Sequence, residues 1–186
     1  MLVEDMDYLF ENTGQIVDVN DIEQTVIITN APLSEHEERH VHSLERISRG
    51  DIVTIDEVSF LAISESITKR YGKYKAIVRH MNALVEIQGE PTLIDTGEVD
   101  RFERPIYIEI PGELIHVPSI IESRKFSIPE SAAIRIPENY LEVTMQDNEQ
   151  NVNLTELDKK ITVAKKEWTV VNQDFSKRGL VVLTCE

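Results

Sequence analysis

The chain has 186 residues, 41% of them apolar, and a formal charge of −15. That apolar share excludes wholesale disorder, and the length allows one large domain or two small ones, each with its own core. The charge argues against general nucleic-acid binding, which needs a basic face.

The acidity is uneven, because residues 1–38 hold ten Asp or Glu and no Lys or Arg. The start, Met1-Leu2-Val3-Glu4-Asp5, lacks the basic and apolar regions of a secretory signal, and no apolar run approaches bilayer length. The expectation is a soluble protein of the cell interior or of a particle, without membrane contact. Leu2, Met6, Leu9 and Phe10 predict one or two amphipathic helical turns, ended by Gly14. Residues 16–19 and 25–29 read as strands about the turn-prone pair Asn20-Asp21. Pro32 opens a polar loop to about His42, and strands follow near 51–55, 58–64 and 73–81. Only Asp56-Glu57 joins the first two of these, as in a two-residue hairpin that lacks the favoured glycine. Six of the seven prolines fall between Pro91 and Pro137, so this middle third should be extended, with short or edge strands at 106–110, 115–117 and 126–128. The Ile-Pro-Glu repeated at 128–130 and 136–138 marks strand ends, 141–145 reads as a strand, and 147–153 as an exposed acidic turn.

Two stretches share one design. Residues 50–63 and 160–171 each give a β-branched run, a tight charged turn and a second run with an inner aromatic, Phe60 or Trp168. Each continues into a polar, basic loop with a glycine, Gly72 or Gly179, and a third apolar run at 76–78 or 180–183. Such triplets build small barrels and sandwiches, with the aromatics as core anchors. The expected architecture is mainly β, with a boundary near residue 100 where 97–104 is polar. Residues 1–99 would form a small β-barrel, and 100–186 an Ig-like β-sandwich or a second small β-barrel.

Signals for chemistry are sparse. His36-Glu37-Glu38-Arg39-His40 matches the zinc-protease pattern, in which two His one helical turn apart bind metal and the Glu polarises water. Both intervening positions here are charged and no amphipathic helix surrounds them, so a solvated loop is the better reading. Cys185 is the single cysteine and has no partner for an intramolecular disulfide. No P-loop, dinucleotide fingerprint or nucleophile elbow occurs. No catalytic residue, metal or cofactor is therefore assigned, and the chain is not read as an enzyme. Lys69, Arg70, Lys73, Lys75 and Arg79 interleave with Tyr71 and Tyr74, and no Asp or Glu occurs from Ser66 to Val85. Three roles fit this block: a solvated hairpin tip, a contact for an acidic protein such as a second copy of this chain, or a phosphate-tracking surface. Asp56 and Glu57 in the first turn oppose Lys165 and Lys166 in the second by charge sign, which makes both candidate subunit contacts.

The segment from Arg49-Gly50-Asp51-Ile52-Val53 through Lys73-Tyr74 to Arg79-His80-Met81-Asn82 resembles neck proteins of tailed bacteriophages of Gram-positive hosts. The ending from Trp168-Thr169-Val170-Val171 through Lys177-Arg178-Gly179-Leu180 to Cys185-Glu186 resembles them too. The likeness is to the head–tail connector or head-closure (stopper-type) class with an added Ig-like domain. It implies a non-enzymatic virion protein, assembled in the host cytoplasm as a ring of copies between portal or adaptor and tail proteins. DNA would pass through its lumen without sequence-specific binding. Different expectations are a monomeric β-domain binding module, or another structural protein of a phage tail or baseplate.

Overall fold

Three hairpins turn on two residues with no glycine. Asn20-Asp21, Asp56-Glu57 and Ala164-Lys165 all have positive φ at both positions: 48° and 64°, 48° and 67°, 49° and 69°. Turns of this hand match the twist of the strands they join, and they lock strand register. The computed structural model describes residues 3–32, 34–68, 72–125 and 139–186. Expected features at Lys69, Arg70, Tyr71, 126–128 and both Ile-Pro-Glu repeats lie outside the described residues.

Helix α1 (Val3–Thr13) leads through Gly14 into β1 (Gln15–Val19) and β2 (Ile22–Asn30). Strands β3 (Glu38–Ser43), β4 (Ile52–Ile55), β5 (Val58–Ala62), β6 (Ile67–Thr68) and β7 (Tyr74–His80) complete one sheet, which the β3–β7 pairing closes into a six-stranded barrel. The polar loop expected up to His42 is therefore shorter. Val41 and Ser43 alternate inward with outward-facing histidines, so a strand is hidden under polar composition.

The second barrel is built from β8 (Ala83–Gln88), β11 (Leu114–Lys125), β12 (Asn139–Gln146), β13 (Lys160–Val163), β14 (Lys166–Asp174) and β15 (Leu180–Cys185). It is closed, so of the two forms expected for this half the barrel is the one formed. Between β8 and β11 stand β9 (Thr92–Val99) and β10 (Pro105–Ile110), paired only with each other. Helix α2 (Glu149–Leu154) replaces the acidic turn expected at 147–153, because the Asn148 side chain accepts a hydrogen bond from the Asn151 N–H at 2.8 Å and caps it.

Both barrels have one topology. Going round the first gives β1-β2-β3-β7-β5-β4, and round the second β8-β11-β12-β15-β14-β13. In each, the first strand meets the fourth through two register pairs, Asp18↔Thr54 and Val19↔Val53 in one, Ile161↔Ile87 and Thr162↔Glu86 in the other. The repeated triplet is thus the second half of a repeated barrel. Its partner half also repeats, except that the Asn20-Asp21 turn of the first barrel is replaced in the second by the whole β9–β10 ribbon. The chain crosses between barrels at Met81-Asn82. The boundary expected near residue 100 falls in the turn of that ribbon, where polar residues mark a tip rather than a linker.

Buried Val17, Val26, Val41, Val53, Phe60 and Val78 fill the first barrel, and Val85, Val143, Met145, Ile161, Val181 and Leu183 fill the second. Trp168 is the exception to the paired-anchor expectation. It faces inward beside Ile161 but sits half-buried at the barrel mouth, with the Lys166 ammonium 3.7 Å above its ring. Cys185 lies in the second core, and burial pushes its thiol up to about 12. Iodoacetamide at mildly alkaline pH should therefore leave the native chain unlabelled and modify it only after unfolding. Rapid labelling of native protein would contradict a closed second barrel.

A third apolar cluster, Leu61, Met81, Ile120 and Leu180, joins the barrels. Beside it Gly50 and Gly179 meet back to back, at φ of 91° and 86°. The Asn82 side chain donates to the Ile121 carbonyl at 3.0 Å and accepts from its N–H at 2.8 Å, so it acts as one more strand residue across the junction. Pro118 is tolerated inside β11 because β11 ends its pairing with β8 at Ser119 and takes up β12 at Ile120.

Candidate functional site

The ribbon is the part of the molecule that the barrels do not explain. All six residues of β10 are exposed, as are all those of β9 except Thr96. Register puts Ile94 opposite Ile108 and Thr92 opposite Ile110, and alternation adds Thr96 and Ile106 to the same side. That face is uncharged and strongly β-forming. The other face is mixed, with Leu93 opposite Glu109 and Asp95 opposite Tyr107. At the tip the Asp100 carboxylate accepts from the N–H groups of Phe102 and Arg104 at 2.7 and 3.0 Å. The Phe102 ring stands in solvent with the guanidiniums of Arg101 and Arg104 each 5.6 Å from its centroid. At the base the Gly89 N–H donates to the Glu113 carbonyl at 2.9 Å, and Gly112 passes so close to Gly89 and Glu90 that a Cβ would lie 2.4 Å from both carbonyl oxygens.

A two-stranded ribbon is barely stable alone in water, and its free edges and apolar face invite pairing. Contiguous exposed apolar surface of this kind makes the ribbon the candidate interaction site. From the sequence, 106–110 is legible as an edge strand, but 92–99 as its partner is not. The signal was the alternation Ile106-Tyr107-Ile108-Glu109-Ile110 set against Leu93-Ile94, two runs that no other strand needs.

The residues singled out by sequence are scattered. Lys73 precedes β7, Lys75 faces outward from it, and Arg79 is committed within the chain. Its guanidinium donates to Glu38 at 2.7 Å and to Glu122 of the second barrel at 2.8 Å. Arg124 continues the chain of charges to Glu122 at 3.0 Å and Glu142 at 3.4 Å, and its pKa is raised by those carboxylates, Glu142 first. This network lines a groove of about 690 Å³ between the barrels, shared with His36 and Lys177. Asp56, Glu57 and Lys165 occupy hairpin tips, Lys166 covers Trp168, and among the described residues no ion pair joins the acidic tip to the basic one.

The His-Glu-x-x-His segment is not helical. His36 sits in a bend 3.6 Å from Glu122, while His40 lies on the outward face of β3, so the two rings lack the one-turn spacing that zinc chemistry requires. Among the described residues no group of three His, Cys, Asp or Glu is placed to hold a metal, and no helix is long and apolar enough to cross a membrane.

Two family models match the chain: the YomX N-terminal domain over residues 1–80 and the YomX C-terminal domain over residues 52–186. The first ends where β7 ends, and the second begins at β4 and takes in the first triplet. The chain is also similar to the SPbeta prophage-derived protein YomX of Bacillus subtilis (strain 168), at 26% identity over 167 residues, 87% of this chain and 74% of that one. No solved structure matches.

Proposed function

Because the chain belongs to the YomX family, whose two domain models together span it, we propose that it is a non-enzymatic structural protein of a phage particle. In this reading copies assemble through the ribbon into a ring between head and tail. The ring contacts portal or adaptor proteins on one side and tail proteins on the other. The observation that carries the reading is the β9–β10 ribbon, an exposed arm with one apolar face, inserted where the sister barrel has a two-residue turn and paired with neither barrel. An exposed apolar face of this kind suits a protein that assembles with others. The prophage origin of the relative and the resemblance to neck proteins point the same way. A formal charge of −15 per copy also suits a lumen through which DNA slides, since phosphates are repelled rather than held.

Deleting the coding sequence from an inducible prophage should leave DNA-filled heads and free tails that do not join, with plaque formation restored by supply in trans. Electron microscopy of the lysate reads this directly. Intact particles at normal titre would overturn the reading, as would absence of the chain from purified virions. Heads lacking tails altogether would move it from the neck into the tail.

A further inference from the structure

The ribbon needs a partner surface, and its chemistry restricts which. Between Glu90 and Glu113 it carries seven carboxylates and two guanidiniums, so an acidic surface or a phosphate backbone repels it. Stacking ribbon on ribbon brings two net-negative arms together. The required surface is apolar and cationic, which is rare in so acidic a chain.

The first barrel presents one. On the outer side of β3, β7 and β6, register aligns His42, Lys75 and Ile67 in one row, and His40 with Ile77 in the next. Lys73 stands beside them. Ile67 is 56% exposed although it lies on a paired strand. The carboxylate on this face, Glu38, is already held by Arg79 at 2.7 Å. The face thus offers two isoleucines, two lysines and two imidazoles, with its acid neutralised. It also contains the described part of the cationic block that is conspicuous in the sequence.

Resting on the structural reading above, we propose that the ribbon of one copy seats its isoleucine face, Ile94, Ile106, Ile108 and Ile110, on the β3–β7–β6 face of the next copy. The carboxylate of Glu98, at the tip end of the ribbon beyond its register shift, then meets Lys73 and Lys75. The donor lies on the second barrel and the acceptor on the first. The contact is therefore heterologous and repeats from copy to copy, and it closes where the rotation per copy divides a full turn.

Cysteine pairs test this, since the native Cys185 is buried. Chains with Ile108→Cys, Lys75→Cys or both are treated with a short bismaleimide, as purified protein at high concentration and in virions. The double variant should give a ladder of covalent multimers, a mixture of the two single variants should stop at dimers, and each single variant should stay monomeric. The charge reversal Lys73→Glu with Lys75→Glu should weaken self-association about tenfold, and Glu98→Lys in the same chain should restore part of it. Dimers from Ile108→Cys alone would show ribbon-on-ribbon pairing and overturn the proposal. So would the absence of any ladder in both settings. A chain that enters virions without the ladder would lose this docking surface and keep its structural role; one that does neither would lose both.

Discussion

Gly50→Ala and Gly179→Ala should each lower the melting temperature by about 10 °C. A Cβ on Gly50 would lie 1.9 Å from the Gly179 carbonyl oxygen and 2.6 Å from its carbon, and one on Gly179 would lie 2.1 Å from the Arg49 carbonyl oxygen. These contacts are backbone against backbone, so no side chain can swing away. Both residues also hold positive φ, which costs an L-residue about 1–2 kcal/mol before any clash. The available relief is to part the barrels, and that exposes Leu61, Met81, Ile120 and Leu180. A total near 3–4 kcal/mol follows, at about 2–4 °C per kcal/mol for a chain of this size. Gly97→Ala is the control: its φ is 73°, but nothing lies within 4 Å of the added methyl, so strain alone remains, about 1 kcal/mol. Circular dichroism melts decide between them. A loss at Gly50 no greater than at Gly97 would mean that the barrels do not meet as described.

The glycine pair also shows what the amino-acid pattern can and cannot reveal. Strand alternation and turn chemistry are local, so the triplets at 50–63 and 160–171 are legible, and so is Asp56-Glu57 as a whole turn. The second turn is Ala164-Lys165 rather than the lysine pair, because Lys166 is needed in register opposite Val163. Strand β3 is hidden because its inward side, Val41 and Ser43 with Arg39 reaching over Phe60, reads as polar among charged and imidazole side chains. Helix α2 is hidden by its asparagines, although Asn148 is a cap residue that announces it. Arg79 reads as one more cation of a basic block, since its partner Glu122 is 43 residues away and on the other barrel. Contacts of that range depend on how two closed barrels dock, which no period of 2 encodes. The ribbon lay between these cases: half of it was visible as an edge strand, and its independence from both cores was not.

Phe60→Ala should cost about 3–5 kcal/mol, and Trp168→Ala no more than about 2, although the two aromatics hold matching places in the repeated triplet. Phe60 is wholly buried in the first core, with the Arg39 guanidinium 4.7 Å from its ring centroid and the His80 ring at 5.6 Å. Its truncation leaves a cavity that closed strands cannot collapse around. Trp168 lies at the mouth of the second barrel, half in water, so its truncation loses part of its apolar contact and the cation above it. Urea unfolding measures both costs, and it also tests coupling, because Trp168 is the single tryptophan and its fluorescence reports the second barrel alone. The shared apolar cluster, the facing glycines and the Glu38–Arg79–Glu122 bridge should couple the two barrels into one cooperative unit. Phe60→Ala should then shift the fluorescence midpoint as far as the circular-dichroism midpoint, despite acting in the other barrel. If fluorescence stays put while ellipticity falls early, the junction contacts are too weak to couple the barrels, and the ribbon would be anchored to a second barrel that folds by itself.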